Sequence, residues 1–514
     1  MLVSPPRSGS LAGTLVLVLL LSCALAVSAV VLPASHDWTN LNYVKQLELT
    51  GSTSHSTVIV SVKPEAKLDS SLSALPYYFL VPANEVRTIS WSRLTVKIAP
   101  DSPLASSPQY KVGLRPVLEL LDLGSLDSDL DTHVFRTDVP SHVLGAEGIT
   151  LTLELALNHA TQPLPAEVKQ TDPQLLLWHG DASIRSPYPT VAGSVKVKAP
   201  SPKIASYQPV DLATKSGSIV TYGPFSDLKP FDPATGIQQG SLHFQSDLPQ
   251  ASIVSLHRTA EISHWGDALS IEDRVLIRNT GPRLKGHFSR IEHQMAAFYK
   301  RGSANALSTF NMLLPSGARD PYFIDQIGNV STSRFRPSGA DPALLSNLQA
   351  APQPQRLSLL ELQPRFPLLG GWNYTFSVGF NVPLSSGGWG RKIPGLANEY
   401  VVAVPLFTAM KDVAVDSVVT SILLPEGSRN VQVELPFPMD DLQHGLTHTY
   451  LDTVGRPTIT LAKRRCSSEH ALHVYVRYTV ALRGHLQKVL AVASISLLLF
   501  AGAGALRRAD TRIR

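Results

Sequence analysis

The chain has 514 residues, of which 44% are hydrophobic and 17% charged, with a formal net charge of +5. That length supports two or three domains with sizeable cores. Arg7 and the tail arginines Arg507, Arg508, Arg512 and Arg514, offset by Asp510, hold most of the excess charge, so the middle of the chain is nearly neutral and no nucleic-acid surface is implied.

The first residues set the compartment. Arg7 is followed by an apolar run from Leu11 to Val27 and by the small residues Ser28 and Ala29. This is the layout of a secretory signal peptide over residues 1–29; an uncleaved anchor helix is the rival reading. Of the two cysteines, Cys23 leaves with the signal, so no internal disulfide is expected. Cys466 follows Lys463, Arg464 and Arg465, cations that could activate a thiol, although an inert thiol is the simpler expectation.

From residue 30 to 488 the hydrophobic period is two. Ile149–Leu157, Val431–Leu435 and Leu472–Val480 alternate apolar and polar residues, and Val58–Val62 nearly does, as strands with one buried face do. The 39 prolines and 33 glycines punctuate these runs as turns. The expected fold is mainly β, with two antiparallel β-sandwich-like domains at 30–215 and 216–488. Three segments read as loops or linkers: the acidic Leu121–Asp131, the stretch from Pro200 to Gly217, and an insertion at 338–354 rich in Pro, Ala, Ser and Gln. No internal repeat of fixed period is visible.

No catalytic signature is present: there is no Walker loop, no dinucleotide-binding glycine motif, no nucleophile elbow and no zinc-protease helix. No catalytic residue, cofactor or metal is therefore predicted. Asp127, Asp129 and Asp131 begin like a calcium loop, with Asp138 at the twelfth position, but Thr132 stands where the sharp turn needs glycine. His444 with His448, and His470 with His473, lack the companions of a metal site and read as surface or capping residues. Two sequons, Asn329-Val-Ser331 and Asn373-Tyr-Thr375, are candidate N-glycan acceptors; Trp372 and Phe376 suggest partial burial of Asn373.

Near the C-terminus, Val489 to Leu506 carries no charge and is just long enough to cross a hydrocarbon core of about 30 Å. The arginines of the tail, 507–514, mark its cytosolic side, giving single-pass type I topology. A lipid-anchor attachment signal would end apolar, and this chain does not. Ala501, Gly502, Gly504 and Ala505 offer small residues for close approach of a partner helix.

Several short segments, collinear along the chain, resemble the ribophorin I family. They are Tyr222-Gly-Pro-Phe225, Glu261-Ile-Ser-His-Trp-Gly266, Leu284–Arg290, Arg319–Ser333, Pro364–Trp372, Leu423-Leu-Pro-Glu-Gly427 and Tyr450–Pro457. Leu47–Gly51 and Ser186–Thr190 match more loosely, His287 stands where the family often has proline, and the insertion at 338–354 has no clear counterpart. The chain stops soon after its span, like the short, fungal-type form. The resemblance implies a non-catalytic subunit of the endoplasmic reticulum oligosaccharyltransferase. Its partners would be the catalytic and other subunits, nascent polypeptides and the membrane, with no nucleic acid. It also favours Asn329 as an acceptor. A freestanding single-pass adhesion or lectin-like receptor is the alternative, and a lumenal hydrolase a third possibility without a motif behind it.

Overall fold

The computed structural model describes residues 37–65, 73–97, 115–127, 129–144, 148–209, 212–298, 304–339, 357–395, 398–449 and 452–509. The predicted signal peptide, residues 340–354 of the predicted insertion and the end of the tail lie outside them.

The chain is built mainly of strands, closed by one long apolar helix, Leu482–Ala509. The first domain centres on an eight-stranded sheet. Its order is Ala213–Ser216, Ile219–Leu228, Thr190–Lys198, Trp38–Glu48, Thr53–Pro64, Ile149–Asn158, Ile89–Lys97 and Val117–Leu118. A four-stranded and a three-stranded sheet complete this domain. The alternate residues Leu151, Leu153, Leu155 and Leu157 are at most 4% exposed; of the residues between them Glu154 is half-buried, while Thr152 and Ala156 are buried too. Leu176, Trp178, Leu242 and Phe244 from the four-stranded sheet join the same core.

The second domain repeats this plan. Its seven-stranded sheet runs Arg319–Asp325, Asn373–Pro383, Ala268–Asn279, Ala251–Ser263, Ala414–Leu423, Arg456–Cys466 and Asp441–Thr447. Read from Asp441–Thr447 inwards, each strand takes the sequence rank and neighbours of its counterpart in the first domain. Among the described residues of the two main sheets, only the edge strand Val117–Leu118 lacks an equivalent. The parallel pairing of Trp38–Glu48 with Thr190–Lys198 recurs between Ala251–Ser263 and Ala414–Leu423. The three-stranded sheets correspond as well, Ala74–Pro82, Asp129–Pro140, Leu121–Leu126 against Phe310–Leu314, Ser358–Leu362, Ser333–Arg336. So do the four-stranded ones. The molecule is thus one architecture used twice, and each of the two main sheets, otherwise antiparallel as expected, contains one parallel pair.

Two predicted linkers are structured. Leu121–Asp131 forms a hairpin, Leu121–Leu126 with Asp129–Pro140, because its aspartates serve as local caps: Asp129 accepts hydrogen bonds from the Asp131 amide at 3.0 Å and the Thr132 hydroxyl at 2.6 Å. Pro200–Gly217 holds the strands Ile204–Tyr207 and Ala213–Ser216. A boundary at 215/216 would therefore cut the pair Ala213–Ser216 and Ile219–Leu228. Phe244 still belongs to the first core and Ala251 to the second, which moves the change of domain to about Ser246–Gln250.

The seam between the domains is polar. The hairpin tip between Glu48 and Thr53 presses onto the second domain, where the Ser52 hydroxyl donates to the Ala251 carbonyl and accepts from the Ala414 amide at 2.8 Å. A Cβ on Gly51 would lie 2.3 Å from the Asp412 carbonyl, so only glycine permits this approach. Asn158 donates to the Cys466 carbonyl at 2.9 Å, and His159 meets Asp416 at 2.8 Å. Cys466 itself is buried, and burial pushes its thiol up to about 12 despite Lys463 nearby, so it is inert.

Inside the second core lies a charge pair that the hydrophobic pattern does not announce. Arg258 and Asp273 have fully buried side chains and meet through two hydrogen bonds of 2.6 Å. The Pro405 carbonyl accepts from Arg258 at 2.8 Å, and the Thr408 hydroxyl donates to Asp273 at 2.8 Å. Removing one partner strands the other in a dry interior, which typically costs about 3–5 kcal/mol. Arg258→Ala should accordingly lower unfolding stability by that order, read by thermal denaturation in detergent. A loss no larger than that of an exposed arginine such as Arg274 would contradict this account.

Two histidines near this core are held neutral. Burial and then the Lys463 charge push His470 down to about 4; burial and then the Arg258 charge push His473 down to about 4 as well. Unfolded, each takes up a proton below its ordinary value of 6.5, whereas the folded chain does not until about 4. Stability should therefore fall as pH drops through that window, by up to about 3 kcal/mol for each group. Replacing both with Gln should flatten the slope of melting temperature against pH there; an unchanged slope would refute the assignment.

Candidate functional site

Residues of three of the segments that resemble the family, Glu261, Glu426 and Asp452 with Arg456, meet where the second domain joins the terminal helix. That helix carries a continuous candidate span from Leu486 to Arg508, with mean hydropathy 2.3 and no buried share. Its first turns are clamped by two loops. The loop 448–456 supplies Asp452, whose side chain is fully buried and accepts from Lys488 Nζ at 2.6 Å, from the Thr449 amide at 2.7 Å and from the Thr449 hydroxyl at 2.6 Å. Arg456 adds a contact at 3.3 Å and reaches across to Glu261 at the end of the strand Ala251–Ser263. Burial alone would raise the Asp452 carboxyl. The bonds from Lys488 and Thr449 and the charge of Arg456 outweigh it and hold the group far below the usual carboxylate range.

The second loop, 424–428, supplies Glu426. One of its oxygens accepts from the Thr453 amide at 2.6 Å, the Thr453 hydroxyl at 2.7 Å and the Val454 amide at 2.7 Å. Burial opposes ionisation here too, and these donors prevail, so its pKa is lowered. Gln487 of the helix donates to the Thr453 hydroxyl at 2.6 Å. The helix backbone comes close at Gly484, where a Cβ would lie 3.1 Å from the Glu426 carbonyl. The two loops and the first turns of the helix thus form one hydrogen-bonded collar.

Beside the collar stands the tip of the hairpin that joins Ala251–Ser263 to Ala268–Asn279. His264 shares a hydrogen bond of 2.8 Å with the Tyr478 hydroxyl and packs 4.4 Å from the Tyr400 ring. Trp265 projects from the tip, 71% exposed. Asp267 closes the turn by accepting from the Ser385 amide at 2.9 Å and its hydroxyl at 2.7 Å. Two cavities flank His264 and Trp265. One of about 520 Å³ is lined by Asp267, Ser385, Arg391, Lys392 and Tyr400; the other, about 290 Å³, by Glu426, Arg456, Lys488 and Val489.

The predicted sites lie elsewhere. Asn329 is exposed on a loop held by Asp325, which accepts from Arg365 Nε at 2.5 Å and from the Ile327 and Gly328 amides at 2.9 and 3.0 Å. Asn373 opens the strand Asn373–Pro383, and alternation turns Asn373 and Thr375 outwards while Tyr374 and Phe376 are buried, so the expected partial burial of Asn373 is not found. Ala501, Gly502, Gly504 and Ala505 are all exposed, and nothing stands within 4 Å of a Cβ built on either glycine. His444 lies on the edge strand Asp441–Thr447 and His448 just past it, while His470 is buried and accepts from the Ser467 amide at 3.2 Å. Among the described residues no group of three or more His, Cys, Asp or Glu side chains converges as a metal site.

Sequence reasoning missed Asp452, Arg456, Glu426 and Lys488 as a unit. Three of them lie in segments quoted above for their family resemblance, which is the available signal; Lys488 immediately precedes the charge-free run that begins at Val489.

A protein named dolichyl-diphosphooligosaccharide–protein glycosyltransferase subunit 1B from Oryza sativa subsp. japonica is 33% identical over 340 residues, 65% of this chain and 64% of that one. Its namesake from Arabidopsis thaliana is 31% identical over 69% of this chain and 70% of that one. Subunit 1 of the same enzyme from Caenorhabditis elegans is 29% identical over 74% of this chain and 60% of that one. The chain thus spans less than two thirds of the rice and nematode relatives. Among solved structures, an M1 zinc metallopeptidase from Deinococcus radiodurans shares 12% identity at a TM-score of 0.22, over 45% of this chain and 43% of that one, too slight a likeness to carry an argument. The profile of the ribophorin I family matches residues 38–507, which takes in both domains, the collar and nearly all of the terminal helix. The chain belongs to the ribophorin I family.

Proposed function

We propose that this chain is a non-catalytic subunit of the endoplasmic reticulum oligosaccharyltransferase, which transfers a dolichol-linked oligosaccharide to Asn in Asn-X-Ser/Thr sequons. The observation that carries the reading is the family match over residues 38–507, joined to relatives named as subunit 1 of that glycosyltransferase. The chain is a type I protein with both β domains in the lumen, supported by the arginines that follow the span and by two exposed sequons. Its lumenal body braces the complex and presents acceptor polypeptides to the catalytic subunit.

The non-catalytic role is supported by what the ionised groups do. Asp452, Glu426 and Asp325 each accept several short hydrogen bonds within the fold. A general acid or base needs a titratable group free to exchange its proton with substrate. The exposed Ala501, Gly502, Gly504 and Ala505 form the side of the helix that packs on a partner span in this reading.

Affinity purification of the tagged full chain in mild detergent should recover the catalytic membrane subunit. Gly502→Leu combined with Gly504→Leu should sharply reduce that recovery without affecting insertion. A chain that elutes alone at monomer size would overturn the subunit assignment in favour of a freestanding receptor. Asn329→Gln should remove one glycan, seen as a single step of faster gel migration that enzymatic deglycosylation abolishes; unchanged mobility would exclude Asn329 as an acceptor.

A further inference from the structure

The duplicated architecture makes one surface comparison exact in topology. The tip between Glu48 and Thr53 in the first domain corresponds to the tip between Ser263 and Ala268 in the second. The local support is the same: the His159 amide donates to the Ser52 carbonyl at 2.7 Å, and the Leu384 amide donates to the Asp267 carbonyl at 3.0 Å. In the first domain this tip is docked on a neighbour, the second domain. In the second domain the equivalent tip carries Trp265, and its neighbour is the start of the membrane helix. Trp265 lines the same cavity as Val489, the first residue of the charge-free run. The tip is therefore level with the point where the chain enters the hydrocarbon.

The chemistry of the tip suits that depth. Tryptophan favours the membrane–water interface, where its ring is half dry and its N–H is wet. On the other side of Trp265 the cleft of about 520 Å³ presents the exposed cations Arg391 and Lys392, with Tyr400 on its wall. Among the described residues neither cation takes part in an ion pair. The first domain has small residues at its tip, Thr50, Gly51 and Ser52, as a protein–protein seam requires; the second has an aromatic wedge beside two positive charges.

From these observations we infer that the His264–Asp267 tip is a lipid-contacting foot: Trp265 lies among the headgroups of the bilayer and the Arg391–Lys392 cleft receives the phosphate of an anionic phospholipid. The phosphate charge attracts both cations across the low-dielectric boundary, and the foot together with the span gives the second domain two points of attachment, which limits its tilt. The inference requires the span but not membership in a complex, so it stands or falls separately from the subunit assignment.

The test uses the full chain reconstituted in phosphatidylcholine vesicles, with Trp265→Phe as the reference, so that subtraction isolates the emission of Trp265. Phosphatidylcholine brominated near the carbonyl end of its chains should quench most of that emission, and aqueous iodide little. Adding phosphatidylinositol should increase the bromolipid quenching, and Arg391→Gln combined with Lys392→Gln should abolish that increase. Emission quenched by iodide but not by bromolipid would place Trp265 in water and overturn the foot. An increase that survives in the double variant would refute the role of the cleft. Shielding from both quenchers in purified complex, but not in the isolated chain, would mean that a protein rather than lipid covers the tip.

Discussion

A carboxylate removed from water must be surrounded by donors, and at Asp452 the donors come from three separate parts of the chain. Thr449 belongs to its own loop, Arg456 to the strand that leaves that loop, and Lys488 to the terminal helix. The bonds from Thr449 and Lys488 are short, the contact with Arg456 is longer at 3.3 Å, and the fully covered side chain leaves no room for solvent to replace them. The requirement to satisfy one anion thus fixes where the helix departs from the β domain. Glu426 performs the same service one loop away, and the missing side chain at Gly484 lets the two surfaces close.

Much of the architecture was legible because strands advertise themselves by alternation. Val474 to Val480 bury every second side chain as the pattern requires, and Leu151 to Leu157 bury the alternate leucines together with Thr152 and Ala156. The apolar span was equally plain. The domain boundary was not: Pro200–Gly217 has the proline, serine and lysine content of a linker, yet it holds edge strands, which are exposed and so need no apolar residues. The duplication was invisible for a related reason. A topology is preserved by any sequence that keeps the order and polarity of strands, so no residue-level period survives. Partnerships such as Asn158 with Cys466, or Arg258 with Asp273, depend on side chains far apart along the chain or on opposite sides of a hairpin, which no local spacing reveals. At the collar, the segments around Glu426 and Asp452 could be recognised as family landmarks, but that their carboxylates serve as acceptors for backbone and helix donors is visible only in three dimensions.

Two copies of one architecture have been given different duties by changes at a few positions. Ser52 offers a hydroxyl that both donates and accepts, which suits a seam between two rigid bodies. Asp267, at the corresponding turn, spends its carboxylate on Ser385 within its own domain and leaves the outer face to aromatic and basic residues. The hydrogen bonds of that seam are directional, so the two domains are held against each other by the pairing of individual donors and acceptors.

The parallel pairing at the centre of each main sheet has a consequence for biosynthesis. A ribosome delivers the chain from its N-terminus, and Ala251–Ser263 emerges long before its parallel neighbour Ala414–Leu423 exists. With about 160 residues between Ser252 and Ala414, and elongation at about 5–20 residues per second, the central strand waits roughly 8–30 s with one edge unpaired. The first domain faces a similar delay between Asn40 and Thr190. Each nascent domain therefore passes through a period of exposed, apolar, half-formed sheet, a natural client for chaperones, and slowing translation would lengthen the time in which it can aggregate.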